Sequence, residues 1–324
     1  PTGSAITCWL WRMAKSSPSD GSYAAPPVFP RFKPLKLPDR EIIRPLLWNY
    51  QAETSELTFT NLCTWQSHYG YQWSLDRDWL IVVGTGGGGE TWALPPLGPP
   101  PRAELCRKIL TWLREEHGVA DPAIERADPR LAAELAGLTD FVVEPRRDHF
   151  DYVYRREDLI HLPGGKYHAK RNHIHSFSRS YRWRYQPLGP EHLSACLEVS
   201  ARWCEAKRCD LDLSLMGEWA AIAMALTNFP ALELQGGVIL VNDRVEAFTC
   251  GELLNDATAV IHLEKANPDL PGLYAVINQQ FCEHAWGGVP WINREQDLGE
   301  PGLRQAKLSY HPHHLVEKFR IRRA

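Results

Sequence analysis

The chain has eight cysteines but no Cys-x-x-Cys pair, no long apolar run and almost no net charge. Zinc ribbons and thioredoxin-type centres need two thiols two residues apart, so both are excluded. Cys204 and Cys209 have the wrong spacing for a zinc knuckle, and "HPHH" at 311–314 has no carboxylate or thiol set beside it. No metal is therefore expected, and the cysteines read as reduced thiols of a cytoplasmic protein. The best apolar stretch, "WAAIAMAL" at 219–226, falls far short of the ~18–20 residues that cross a bilayer. The expectation is a cytoplasmic chain, at most peripheral to a membrane. Basic residues number 36 against 39 acidic, split 14 to 17 over residues 1–144 and 22 to 22 over 145–324. That balance excludes a general polyanion coat and leaves only local patches of interest.

Two further absences are local. "GTGGGGE" at 84–90 lacks the Gly-Lys-Ser/Thr ending of a phosphate loop, and the sequence after it reads as a strand. Without a following helix there is no cluster of free N–H groups to hold a phosphate, so the stretch reads as a hairpin connection. The second absence is of acid. Residues 163–185, beginning "PGGKYHAKRNHIHSF", hold six Lys or Arg and three His with no Asp or Glu. On a helix, Tyr167, Ile174, Phe177 and Tyr181 form an apolar stripe, and Arg171, His175, Arg179 and Arg182 form a cationic stripe beside it. Lys170 falls inside the apolar stripe, where a charge is costly unless it meets a partner or ligand. The plain alternative is a solvated basic helix with no specific task.

What the chain does have is an echo. "RFKPLKLPDREIIRPLL" from Arg31 and "RYQPLGPEHLSACL" from Arg184 both read as a strand, a Pro-Leu exit and an amphipathic helix. In the second copy, helices are expected over 191–207 and 214–226. A hairpin follows about Asn242-Asp243, then a strand over 257–266 and a helix over 271–286. A strand over 289–295, a short helix over 302–310 and a last strand over 315–323 complete it. That is the element order of the GNAT N-acyltransferase fold. The first copy runs similarly, with 140–160 supplying its closing strands. The fold class is thus α/β: tandem GNAT-like (acyl-CoA N-acyltransferase-like) domains, mixed central sheets flanked by helices. The expected division is a disordered segment 1–30, a first domain 31–160, a basic connecting helix 161–183 packed in the junction, and a second domain 184–324.

Candidate chemistry gathers in the second domain. In this fold the central strand and its neighbour splay apart, and substrates enter the gap. "HLEKANPD" and "WINREQD" place His262, Glu264, Lys265, Arg294, Glu295 and Asp297 near those strand ends. Alternation puts His262 and Glu264 on one face, with Lys265 on the other. His262 or Glu264 is the candidate general base, and Lys265 a candidate cationic stabiliser. In "GLRQAKLSYHP", Arg304, Lys307 and Tyr310 share a helix face, Lys307 as a second stabiliser and Tyr310 as a proton donor. The alternation of "EKFRIRR" aligns Lys318, Arg320 and Arg322 as a second cationic strip. Together with Lys166, His175, Arg179 and Arg182 it would hold a phosphorylated carrier, with Lys170, Arg171 and His173 nearer the substrate.

"KYHAKRNHIHSF", "IHLEKANPDLPGLYAVIN" and "INREQDLGEPGLRQAKLSYHP", with "ELTFTNL" and "WALPPLG" upstream, resemble an uncharacterised bacterial family. That family is similar to the C-terminal domain of phosphatidylglycerol lysyltransferase, and the likeness extends over about 31–324. The resemblance implies tandem GNAT folds, related also to Fem-type peptidyltransferases. It implies transfer of an amino acid from aminoacyl-tRNA to a hydroxyl or amine, with no bound cofactor. "GLRQAKLSYHP" resembles the family's "GLR-x-F-K-x-K-F-x-P" element, which places Lys307 and Tyr310 at functional positions. "HLEK" resembles "DLMR", with His262 for Asp and Lys265 for Arg, so lysyl specificity and a lipid acceptor do not carry over directly. The acceptor classes in view are a lipid headgroup, a peptide or a small molecule. The rival activities are an acyl-CoA-dependent N-acetyltransferase and a non-catalytic tRNA- or nucleotide-binding protein. The loop "EKANPDLPG" carries one glycine, too few for a CoA pyrophosphate loop.

Overall fold

The computed structural model describes residues 25–86, 88–207 and 213–324. The disorder expected for 1–30 therefore lies outside the described residues up to position 24, as does Cys209. Residues 27–30 depart from that expectation. Phe29 donates its N–H to the Leu75 carbonyl at 2.8 Å, and Leu75 donates to Pro27 at 2.9 Å.

Fourteen strands are described: β1 (Lys33–Pro34), β2 (Gln72–Asp76), β3 (Trp79–Thr85), β4 (Thr91–Ala93), β5 (Ala123–Ala127), β6 (Phe141–Pro145), β7 (Asp151–Arg155), β8 (Trp183–Pro187), β9 (Gln235–Val241), β10 (Arg244–Asn255), β11 (Thr258–Ala266), β12 (Trp291–Asn293), β13 (His314–Val316) and β14 (Phe319–Arg323). They form two mixed seven-stranded sheets, ordered β1-β2-β3-β4-β5-β14-β6 and β13-β7-β12-β11-β10-β9-β8. Each has one parallel pair, β4 with β5 and β11 with β12. This is the tandem GNAT-like architecture. β3 and β4 pair antiparallel across the glycine-rich stretch, as a hairpin requires.

The units exchange strands, which the sequence reading does not anticipate. β7, expected to close the first sheet, pairs with β12 and β13 of the second. The expected last strand 315–323 divides: β13 stays in the second sheet, while β14 crosses to lie between β5 and β6 of the first. Leu315, partly buried, and Ile321, buried, thus pack in the cores of different sheets. A boundary near 160–184 does not separate the sheets.

Three cores follow from the faces. Helices Arg40–Tyr50, Phe59–Thr64, Leu193–Lys207 and Leu213–Thr227 fill the layer between the sheets, with Trp73, Leu80, Phe248 and Val260 among its buried residues. Phe59–Thr64 starts at a good cap, because the Thr58 hydroxyl accepts the Asn61 N–H at 3.1 Å. The outer face of the first sheet is covered by Ala103–Glu115 and Pro129–Leu135. Asp128 caps the latter through the Leu131 N–H at 2.9 Å, with Pro129 at its first turn. The outer face of the second sheet is covered by His168–Ser180 and Leu273–Ala285.

The basic helix is therefore not a junction element. Tyr167, Ile174 and Phe177 bury as the stripe predicts, but in the outer core of the second unit. Cys63, Cys106, Cys196, Cys250 and Cys282 are buried free thiols, whereas Cys204 is disulfide-bonded, against the expectation of thiols throughout. No helix among the described residues is long and apolar enough to cross a membrane.

Candidate active site in the strand wedge

β11 and β12 run in parallel register only from Thr258–Trp291 to Val260–Asn293. Beyond that point the chain after β12 turns to β7 instead. Arg294 donates its N–H to the Tyr152 carbonyl at 2.9 Å, and Tyr152 donates to the Glu295 carbonyl at 3.2 Å. The strands part there and leave a wedge between 261–266 and 294–297.

A bulge sets which residues face each side of it. On β10, Cys250 and Gly251 are adjacent, yet they oppose Leu263 and Ile261, so His262 is the extra residue. A Cβ on Gly251 would lie 2.1 Å from the Val260 carbonyl oxygen, so only glycine fits opposite the bulge. The bulge resets the alternation. Val260 and Leu263 both belong to the core between the sheets, although they are three residues apart. His262 consequently faces the inner layer and Glu264 the outer one, correcting the expectation that they share a face.

On the inner side, His262 Nδ1 meets Glu295 Oε1 at 2.8 Å and its Nε2 meets Glu252 Oε1 at 3.0 Å. The Thr58 hydroxyl of the first unit stands 3.4 Å from the same Nε2. Burial opposes a charge on this ring, but the hydrogen bonds to Glu252 and Glu295 outweigh it and raise the pKa from 6.5 to about 9. His262 is thus an imidazolium with both nitrogens engaged, which removes it as a general base.

The outer side holds Glu264, Arg294, Asn278, Lys170 and Tyr310. Glu264 accepts from Arg294 Nη2 at 2.9 Å and from Asn278 Nδ2 at 3.3 Å. Arg294 lies 5.0 Å from the Tyr310 ring centroid and Lys170 Nζ 4.0 Å from it. Lys170 thereby meets the partner its place in an apolar stripe demands. Burial, reinforced by Arg294, lowers the pKa of its amine. Burial also raises the pKa of the Tyr310 hydroxyl, with Arg294 opposing, so the phenol stays protonated at neutral pH. Two buried atoms here have no hydrogen-bond partner among the described residues: Arg294 Nη1, a donor, and Asn278 Oδ1, an acceptor.

Lys307 and Asp297 are spent on shaping the loop between the sides. Lys307 Nζ donates to the carbonyls of Arg294 at 2.5 Å, Glu295 at 3.0 Å and Gln296 at 2.6 Å. Burial pulls its pKa down to about 8. It clamps the loop rather than facing a substrate. The clamp holds Glu295 at φ 56, a left-handed conformation rarely taken by a glutamate. Asp297, fully buried, takes both Arg304 donors at 2.8 Å, with Arg147 at 3.4 Å and the Tyr152 hydroxyl. Arg304 is therefore a structural partner too. The helix ends at Leu308, so Tyr310 lies beyond it and does not share its face.

Lys265 points into the inner layer, 2.8 Å from Glu218 and 3.3 Å from the Trp203 ring centroid, away from Glu264. Arg171 turns back to the Leu162 and Gly164 carbonyls. Lys166, His173, His175, Arg179 and Arg182 are exposed and no ion pair engages them among the described residues. The second cationic strip does not exist. Lys318 is fully buried, 2.6 Å from both Asp151 and Glu56; Arg320 meets Asp121 at 2.8 Å and Arg322 meets Glu144 at 3.2 Å. Alternation along β14 holds, since Phe319 and Ile321 both pack into the outer core of the first sheet. Lys318 lies just before the strand and turns inward, while Arg320 and Arg322 are each taken up by an acid.

Glu252, Asn278 and Thr58 were not anticipated. Their one signal was polarity in buried surroundings, as in "TSELTFTNLCT" (54–64), all of it buried.

The family described as phosphatidylglycerol lysyltransferase, C-terminal, matches residues 49–322. A conserved protein of unknown function from Bacteroides thetaiotaomicron is 33% identical, with a TM-score of 0.84 over 90% of this chain and 99% of that one. L-PGS from Bacillus licheniformis is 13% identical, with a TM-score of 0.55 over 80% of this chain and 90% of that one. FemX is 9% identical, with a TM-score of 0.54 over 90% and 96%. No curated protein matches.

Proposed function

Because this chain belongs to the phosphatidylglycerol lysyltransferase C-terminal family, we propose that it moves an aminoacyl group from aminoacyl-tRNA to an acceptor amine or hydroxyl. Family and fold support the coarser statement, an acyl or aminoacyl transferase. One observation favours the finer one: the seating of helix His168–Ser180 on the entrance of Leu273–Ala285. A CoA pyrophosphate needs free N–H groups at that entrance. Here a Cβ on Gly272, which has φ +91, would lie 2.5 Å from the His173 carbonyl oxygen. A carbonyl pressed onto the entrance leaves no room for a phosphate and repels its charge. The phosphates of the donor must then be gripped elsewhere. The exposed side of the same helix offers His175 and Arg179, with Lys166 in the turn before it and Arg182 just past its end, off the stripe the sequence suggested. Lys170 reaches from that helix into the wedge and links carrier to site.

In this reading the acceptor presents its N–H or O–H to Glu264. Glu264 takes the proton as the acceptor atom bonds to the ester carbonyl carbon. The charge developing on the carbonyl oxygen is held by Arg294 Nη1 and Lys170. The terminal ribose oxygen then leaves with the Tyr310 proton, and Glu264 returns its proton to Tyr310.

The test is incubation with radiolabelled charged tRNA pools and cell extract, sorting label into lipid, peptide and small-molecule fractions, beside labelled acetyl-CoA. Label should leave tRNA for one fraction, and Glu264→Gln should slow this by roughly 10²–10⁴-fold. Transfer from acetyl-CoA alone would replace this reading with the acetyltransferase one. Tight tRNA binding with no transfer would replace it with the non-catalytic one.

A further inference from the structure

The first unit holds a cleft of about 210 Å³ on the helix-covered face of its sheet, and no residue of the wedge lines it. Its floor is made by strand positions that share one face. Gln72 stands opposite Val83, and Thr85 opposite Thr91. Val83 obeys the pattern of that face and packs into the outer core. Gln72, Thr85 and Thr91 break it, because polar side chains occupy positions where the rest of the face is apolar. The wall is aromatic: Trp112 stacks on Phe32 at 4.7 Å and meets His117 edge-on at 4.3 Å.

Two features point to a ligand. The side chains of Gln72, Thr85, Thr91 and His117 converge on the cleft, yet none hydrogen-bonds another described residue. Among the described residues no Asp, Glu, Lys or Arg lines the space. Aromatic walls with a few convergent, unspent polar groups characterise small-molecule sites, and the lack of charge restricts the occupant to a neutral group. The space is enough for one ring system. Gln72 offers an adjacent donor and acceptor, the complement of an amide-like or amino-imine ring edge. Trp112 offers an aromatic surface against which such a ring packs.

We propose that this cleft is a second binding site that accepts an uncharged nucleobase, from a free nucleoside or from the unpaired end of an RNA. It does not depend on the transferase reading, since none of its residues enters the wedge.

The test is calorimetric titration of the whole chain with adenosine, guanosine, cytidine and uridine, and separately with single-stranded trinucleotides. Gln72→Leu and Thr85→Val are titrated in parallel, their folding checked by thermal melting. At least one nucleoside or trinucleotide should bind at ~1 mM or tighter, and Gln72→Leu should weaken it roughly tenfold or more. Binding of free nucleosides identifies the small molecule as the source, and binding of trinucleotides alone identifies RNA. No binding of either up to about 10 mM, or binding unchanged in both well-folded variants, overturns the proposal. Aminoacyl transfer measured in Gln72→Leu should equal wild type, so failure here is distinct from failure in the wedge.

Discussion

Residues 166–182 and residues 318–323 are both runs of Lys and Arg flanked by apolar residues, and they have opposite fates. In the first, the cations lie on and beside a helix with no acid within it, and among the described residues no acid meets Lys166, Arg179 or Arg182. In the second, strand exchange delivers the run into a ring of carboxylates. Asp121 and Glu125 take Arg320, Glu144 takes Arg322, Asp140 takes Arg323, and Asp151 with Glu56 takes Lys318. Charge written in a sequence becomes surface potential only where the fold leaves it unpaired. The first run leaves its field exposed; the second spends its field on carboxylates of both units.

Lys318→Met presses that contrast hardest. Glu56 and Asp151 would be left as buried carboxylates without their shared cation, which costs about 3–5 kcal/mol. A urea titration should show that loss. Next in size is the double reversal Arg179→Glu, Arg182→Glu. If this face grips phosphates, tRNA affinity should fall by tenfold or more and the salt slope by roughly 1 per lost contact, with the melting temperature unchanged. A slope equal to that of wild type would make the helix a solvated surface.

A smaller effect belongs to His262, a cation sealed in carboxylates like Lys318 but titratable. Its pKa is raised from 6.5 to about 9, so its stabilisation is complete below pH 6.5 and fades as pH climbs toward 9. Lys307 acts in the opposite sense. Its pKa is lowered from 10.5 to about 8, so it adds stability as pH rises between those values. Between pH 6.5 and 8 the histidine therefore dominates. The urea midpoint of wild type should fall over that range, and that of His262→Gln should stay flat. The smallest effect is at Arg322, whose exposed pairing with Glu144 contributes little in water. Arg322→Gln should change stability by less than about 0.5 kcal/mol and leave tRNA binding unaltered.

Much of the second unit could be read because its periods differ cleanly. The 3.6-residue repeat in 193–207 and the apolar stripe of 168–180 announce helices, and Asn242-Asp243, with φ of 48 and 65, is the hairpin turn its residues demand. Asp128-Pro129 is an equally clear helix start, a capping residue followed by Pro in the first turn. The bulge at His262 had only Gly251 as a signal, and that glycine's meaning depends on knowing its strand partner. Strand exchange has no local signal, because β7 and β14 carry ordinary strand patterns and only long-range pairing decides their sheet. For the same reason Lys307 and Tyr310 could be placed near the wedge, but not told apart as loop clamp and site residue. Their roles follow from the three carbonyls converging on one and the two cations flanking the ring of the other.

The most direct measurement is the rate of label loss from a single purified aminoacyl-tRNA, in wild type and in Glu264→Gln, with the labelled acceptor recovered. The account predicts turnover in wild type, a loss of roughly two orders of magnitude or more in the variant, and no labelling from acetyl-CoA. Equal rates in the two proteins, or labelling from acetyl-CoA in place of tRNA, would contradict it.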